Sequence, residues 1–183
     1  MVKRLIEKGH AVTGYNRTKS KAQWLIDLGM TWADSPREVC EASDMTLSMV
    51  SDSKAVTEIA EGPNGMLAGL SDGKILIEMS TIKPAVSVAL AERAREKGGD
   101  MLDVPVSGSQ QTLRDGKLSM MVGGRPETYE KVKAILADIG PRTTYIGENG
   151  RALAMKLAAN ISVAVQIVAF AEGVLLAEKS GID

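Results

Sequence analysis

Lys74-Ile75-Leu76-Ile77-Glu78-Met79-Ser80-Thr81-Ile82-Lys83-Pro84 is the stretch that decides the fold. Its first part, Lys74 to Glu78, is a short, mostly apolar run with the length of a buried strand. A small polar loop follows, then a proline whose fixed φ suits the first turn of a helix. Beyond Pro84 the period changes: Val88, Ala91 and Ala94 recur on one helical face through Ala85 to Lys97, and Gly98-Gly99 stops the run before a second strand at Met101 to Val104. Strand, helix and strand in this order form a β-α-β unit, which calls for a parallel sheet.

The same alternation extends to both sides of this unit. Further strands are expected at Ala11 to Tyr15, Thr31 to Ala33, Met45 to Val50 and Leu118 to Val122. Ser35-Pro36 supplies an N-cap and a first-position proline for a helix with Val39 and Cys40 facing inward, and Pro126 opens Glu127 to Asp138, which Gly140-Pro141 ends. The expected class is α/β: a doubly wound, mostly parallel sheet with helices on both faces.

Composition narrows the function classes. Against 22 Lys+Arg stand 23 Asp+Glu, a formal charge of -1, so there is no basic footprint for a nucleic-acid partner. One cysteine, Cys40, excludes an intrachain disulfide and fits a reducing compartment, while the single His10 rules out a multi-histidine metal site. No uninterrupted run reaches the ~18 to 20 apolar residues of a membrane span, and the first residues read as an amphipathic helix rather than a signal peptide. A soluble cytoplasmic protein without a membrane partner or a metal is expected.

Both ends read as cut. Val2, Leu5 and Ile6 lie at helical spacing within Met1 to Lys8, then Gly9 and a strand follow, so a β-α-β unit begins without its first strand. The chain contains no G-x-G-x-x-G, the loop that would precede this helix in an intact dinucleotide-binding unit. From Gly150 to Lys179 there is no proline and one interior glycine, Gly173, enough for a rod of roughly 45 Å at about 1.5 Å per residue. Its centre, Ile161 to Ala171, is apolar on nearly every face, which predicts burial by neighbouring helices that are not in this chain. The expected division is 1–149, a nucleotide-binding domain without its first strand and glycine loop, and 150–183, the start of an all-α domain.

Candidate chemistry clusters where strands end. Asn16, Arg17 and Thr18 stand where an NAD-specific unit places a carboxylate; an arginine with small polar neighbours suits a 2′-phosphate and hence NADP, and a plain solvated turn reads equally well. Val50-Ser51 and Ser80-Thr81-Ile82 occupy loops in which α/β sheets bind ligands, although Ser51 or Thr81 could simply cap the next helix. Asp103-Val104-Pro105-Val106-Ser107-Gly108-Ser109 offers hydroxyls and open backbone N–H groups for a carboxylate, or is a tight turn with glycine at positive φ. Lys156 and Asn160, four apart, share a helix face: a proton carrier with a polar companion if buried, a snorkelling lysine and a core asparagine otherwise.

Taken in order, Gly9-His10 with Tyr15-Asn16-Arg17-Thr18, Ser80-Thr81-Ile82-Lys83-Pro84, Asp103 to Gly108, Gly116-Lys117-Leu118 with Met121-Val122-Gly123-Gly124, and Gly147-x-x-Gly150 leading to Lys156-x-x-x-Asn160 resemble the β-hydroxyacid dehydrogenase family. That family includes 3-hydroxyisobutyrate dehydrogenase and glyoxylate/succinic semialdehyde reductases, with 6-phosphogluconate dehydrogenase as a relative. The resemblance implies a Rossmann-type domain, followed by one long helix that begins an all-α domain. It implies Lys156 as catalytic acid/base, Ser107 and Gly108 with Ser109 as the cradle of a small carboxylate-bearing substrate, and Asn160 as an orienting group. Asn16, Arg17, Thr18, Val50, Ser51 and Thr81 would line NADP, with NAD possible. Ser109 replaces a common second glycine and Thr112-Leu113 a common Gly-Ala, which leaves the acid open. The apolar rod implies a homo-oligomer or a covering domain. The competing reading is a non-catalytic dinucleotide-binding or interaction fragment, favoured by the missing glycine loop and opposed by Lys156 and Asn160 on one helical face.

Overall fold

The computed structural model describes residues 1–182. In chain order its elements are α1 (Val2–Glu7), β1 (Thr13–Gly14), α2 (Gln23–Ile26), β2 (Thr31–Trp32), α3 (Pro36–Glu41), β3 (Met45–Ser48), α4 (Ser53–Ala60), α5 (Met66–Gly69) and β4 (Ile75–Glu78). There follow α6 (Pro84–Glu96), β5 (Asp100–Asp103), β6 (Val106–Ser107), α7 (Gln110–Arg114), β7 (Ser119–Gly123), α8 (Pro126–Ile139), β8 (Arg142–Gly147) and α9 (Arg151–Lys179). The class is the expected one, a mixed and mostly parallel α/β sheet followed by a long helix.

Strands β3, β4 and β5 run parallel in adjacent positions, and every residue of β4 and β5 is buried because helices cover both faces. Successive side chains of β4 therefore feed two different cores. Ile75 and Ile77 join Leu102, Val122, Leu136 and Ile139 on one side; Leu76 joins Met101, Leu90, Ala91, Ala94 and Leu153 on the other. Strand β7 turns back antiparallel: Asp103 pairs with Gly123, Pro105 O accepts from Met121 N–H at 3.1 Å, and Ser107 pairs with Ser119. Thus β5 and β6 are one bent line along a single edge of β7, and β8 runs parallel along its other edge.

Several elements differ from the sequence reading. Strand β1 is shorter than Ala11 to Tyr15, and β6 and β8 were not expected at all. Strand β8, with Thr143, Thr144, Tyr145 and Ile146, carried a strand signal of β-branched and aromatic residues that the preceding Gly-Pro stop obscured. Helix α4 is capped by Asp52, whose carboxylate accepts from Ala55 N–H at 2.9 Å, so Ser51 is not its cap.

The sheet is divided. Among the described residues, strands β1 and β2 pair only with each other, apart from the six-stranded sheet that begins at β3. Thr31 N–H donates to Val12 O and Ala33 N–H to Gly14 O, which turns the backbone polar groups of Thr13 away from β2. Ile75 N–H donates to Asp44 O and Met79 N–H to Ser48 O, so Met45 and Leu47 likewise turn away from β4. Both open edges line the same cleft.

Helix α9 is the long rod that the lack of breakers predicts. Ala152 and Leu153 in its first turn are buried, and its apolar centre is exposed within this chain, as expected of a helix whose covering neighbours lie elsewhere, with Ile161 66% and Phe170 75% accessible. Its most apolar 18-residue window has mean hydropathy 1.8, so by length and composition α9 is able to cross a membrane. Counting uninterrupted apolar residues missed this because Ser162, Gln166 and Glu172 break the run.

Ile77 is fully buried at the middle of the sheet. Ile77→Ala should lower unfolding free energy by about 2–5 kcal/mol with little change in denaturant slope, read by urea titration; a loss below about 1 kcal/mol would contradict its place in the core.

Candidate active site

Parallel register sets Ser48, Glu78 and Asp103 side by side at the carboxyl edge of the sheet, and antiparallel pairing adds Gly123 next to Asp103. Glu78 is 2% and Asp103 0% exposed, so two carboxyl groups are buried on neighbouring strands. They turn to different partners.

Glu78 holds the loops after β3 and β4. One of its carboxylate oxygens accepts from the Ser48 hydroxyl and the other from Ser80 N–H at 2.7 Å, while Ser80 Oγ accepts from Val50 N–H at 2.8 Å. Burial pushes the Glu78 carboxyl above its usual range against the lowering pull of Ser48 and Ser80. Val50-Ser51 and Ser80-Thr81, singled out in the sequence by position, are therefore tied to one another. Thr81 is exposed and is not a cap; the entry to α6 is fixed instead by Lys83 N–H donating to Ser53 Oγ at 3.1 Å.

Beside these loops the divided sheet opens into a cleft of about 990 Å³, the size of a small-molecule site. Asn16, Arg17, Val50 and Ser51 line it together, as do Tyr15 and Lys21. Thr18 and Thr81 are not among its lining residues; Thr18 instead supplies its carbonyl to the Asn16 amide at 2.7 Å. The strand-end turn is cationic: Arg17 and Lys21 flank it, and Lys19 lies 5.0 Å from the Trp32 ring, which packs 6.0 Å from Tyr15. Cations with an aromatic platform and a cleft of this volume fit a dinucleotide with an extra phosphate.

Asp103 anchors the long helix. Its Oδ1 accepts from Gly150 N–H at 2.8 Å and from the Asn149 amide at 3.3 Å, and its Oδ2 from Leu153 N–H at 3.4 Å. The Gly150 and Leu153 donors are backbone N–H groups left free at the start of α9, where a carboxylate also meets the positive end of the helix dipole. Gly150 must be glycine: its φ is +87°, and a Cβ would lie 3.1 Å from Val88 Cγ2. Gly123 must also be small, since a Cβ there would lie 2.6 Å from Asp103 Oδ2. Burial pushes the Asp103 carboxyl up, outweighing the lowering by Gly150 N–H and Asn149.

Asp103 thereby links the two expected halves of the substrate site. Toward one side the chain runs on through Pro105 to Ser107, half-buried in β6, and Gly108 at φ +140°. Toward the other, Lys156 lies less than one helical turn beyond Leu153 and is half-buried, with no ion-pair partner among the described residues; Asn160 is exposed. Both β6 and α9 pack on β7. Ser109 caps α7, its hydroxyl accepting from Thr112 N–H at 3.2 Å while the Thr112 hydroxyl accepts from Ser109 N–H at 3.2 Å. None of Ser107, Gly108, Ser109, Lys156 and Asn160 lines the cleft of Arg17 and Ser51.

A doubly wound sheet with a ligand-sized cleft at its strand ends defines a nucleotide-binding α/β domain. The chain belongs to the family described as the NAD binding domain of 6-phosphogluconate dehydrogenase, whose profile matches residues 1–147. It is 38% identical over 183 residues to the chloroplastic glyoxylate/succinic semialdehyde reductase 2 of Arabidopsis thaliana, covering 100% of this chain and 51% of that protein. It is 40% identical over 162 residues to the 2-hydroxy-3-oxopropionate reductase of Escherichia coli (strain K12), covering 88% of this chain and 56% of the relative. Among solved structures, "Psf3 in complex with NADP+ and 2-OPP" superposes with a TM-score of 0.91 at 29% identity, covering 100% of this chain and 64% of that one. The chain spans about half the length of the two reductases.

Sequence reading missed Lys21 and Tyr15 as cleft residues and the roles of Glu78 and Asp103. A charged residue closing an apolar strand, in both cases, was the available signal.

In the folded state Asp103 retains its proton above its ordinary value of 3.8, so it binds protons that the unfolded chain has released. Its contribution is therefore complete at low pH and is lost as pH rises from about 3.8 through its folded value. Asp103→Asn, which forfeits acceptors for buried N–H groups, should cost about 1–3 kcal/mol, and its deficit relative to wild type should narrow as pH rises across that window. Thermal melting at a series of pH values checks this; a deficit that widens with pH would refute it.

Proposed function

We propose that this chain is the nucleotide-binding part of an oxidoreductase that moves hydride between NADP, or NAD, and a small 3-hydroxy acid or the matching semialdehyde or oxo acid. The observation that carries this reading is the anchoring of the helix of Lys156 on the buried Asp103 carboxyl, four residues before Ser107 in the chain. The naming of the relatives as reductases supports it.

A nicotinamide dinucleotide, when bound, supplies the hydride acceptor or donor. Arg17 and Asn16 hold the ribose and its 2′-phosphate, with the Thr18 carbonyl holding the Asn16 amide, and Val50 and Ser51 line the remaining nucleotide path, with Thr81 on the adjoining loop. Ser107 hydroxyl and Gly108 N–H hold the substrate carboxylate, with Ser109 at the edge of that turn, and the Asn160 amide orients the reacting oxygen. Lys156 Nζ takes the hydroxyl proton during oxidation and returns it during reduction.

The same reading divides the chain into residues 1–149, a nucleotide domain, and 150–183, the start of an all-α domain. The two open edges of β1 and β3 give the cleft the hydrogen-bonding groups for one further parallel strand. The apolar surface of α9 is assigned to protein, either the helical domain or a second copy in a homo-oligomer, in a cytoplasmic enzyme; Ser162, Gln166 and Glu172 along the helix favour protein over lipid.

Steady-state kinetics on the full-length protein, with glyoxylate and short-chain semialdehydes, test this. Lys156→Ala should lower kcat by roughly 10²- to 10⁴-fold while the cofactor dissociation constant stays near wild type; unchanged kcat would remove Lys156 from the chemistry. Arg17→Asp should shift the kcat/KM ratio from NADPH toward NADH, and an equal loss with both cofactors would contradict the phosphate-binding role.

A further inference from the structure

The dehydrogenase reading leaves one buried acid without a task. Glu78 is 2% exposed, and none of the ion pairs among the described residues includes it. A carboxyl in such a place costs free energy that neutral donors offset only in part, and burial indeed holds it above its usual range. It is not needed to join the strands. The backbone does that, with Met79 N–H donating to Ser48 O at 2.8 Å and Val104 N–H to Glu78 O at 2.7 Å. The ladder between β3 and β4 ends at this level, where Ser48 pairs with Glu78. Beyond it the chains part into Met49-Val50-Ser51 and Met79-Ser80-Thr81, and what crosses between them is the Val50 N–H to Ser80 Oγ bond. Ser80 offers that lone pair while its own N–H is held by Glu78, and Glu78 is held in turn by Ser48 at the end of the opposite strand.

We propose that Glu78 is a positioning residue for the cofactor: through Ser48 and Ser80 it fixes the loop carrying Val50 and Ser51 against the loop carrying Thr81. The proposal rests on the dehydrogenase reading, which gives those loops to the nucleotide. Glu78 touches neither substrate nor cofactor and acts through the two serines. Its removal therefore weakens cofactor binding and leaves the proton-transfer step alone.

NADPH titration and steady-state kinetics of the full-length wild type, Glu78→Ala and Glu78→Gln test this. Glu78→Ala should raise both the dissociation constant and the KM for NADPH by about tenfold, with kcat at saturating NADPH changed by less than about twofold. Glu78→Gln keeps the shape and an acceptor for Ser80 N–H, and should bring the dissociation constant back to within about threefold of wild type. A merely structural role would lower the melting temperature without this split or rescue. NADPH affinity in Glu78→Ala equal to that of wild type overturns the proposal. Should Glu78→Ala fail to fold, Ser80→Ala, which removes the acceptor for Val50 N–H, must raise the same constant, and an unchanged value overturns the proposal as well. Wild type that binds neither NADPH nor NADH overturns the dehydrogenase reading and this role with it; tight wild-type binding unaffected by the variants overturns this role alone.

Discussion

The burial of two carboxyl groups on adjacent parallel strands is the constraint from which the rest of the site follows. Glu78 and Asp103 stand at one level of the sheet, so each must find its hydrogen-bond donors among the segments that leave its upper edge. Glu78 takes hydroxyl and backbone donors from the loops on its own side, and Asp103 takes the first N–H groups of α9. The need to satisfy buried acids thus organises two loop systems and one helix. Gly123 and Gly150 complete the arrangement by leaving the space that Asp103 and the helix entrance fill.

Beneath this edge the two cores supply the rigidity. Because β4 and β5 are covered on both faces, alternate residues such as Leu76 and Ile77 anchor opposite helix layers, and neither layer can shift without opening a core. The divided half of the sheet is built differently. Among the described residues strands β1 and β2 have only each other as paired strands, yet they carry Asn16 and Arg17. The cationic turn is thus borne on a two-stranded unit across a cleft from the loops with which it would share a nucleotide.

The central β-α-β unit was legible because proline, glycine and a change of hydrophobic period mark its boundaries in Lys74 to Val104. The long helix was legible for the same reason, through its lack of breakers. Strand β8 was not, since its residues alternate little and it lies exposed at an edge, where burial writes no period into the sequence. The loop residues Val50, Ser51 and Thr81 could be picked out by the rule that ligands gather at strand ends. Which of them face the cleft depends on side-chain direction beyond the ladder, and local sequence does not encode that. The acids at 78 and 103 show a complementary limit: their charge was visible, but apart from Ser80 N–H the donors named for them at Ser48, Gly150 and Leu153 lie 30 to 50 residues away in sequence.

The attachment of α9 through its first turn, by the Asp103 carboxyl and the buried Ala152 and Leu153, has a mechanical consequence. Its 29 residues extend about 43 Å from a pivot made of Gly150 and Asp103, so the helix is a lever with its fulcrum at the sheet. A tilt of about 5° at the fulcrum carries the distal end through roughly 4 Å, while Lys156, only about 9 Å along the shaft, moves by less than about 1 Å. Whatever grips the outer part of the rod can swing by angstroms while the amine stays almost still.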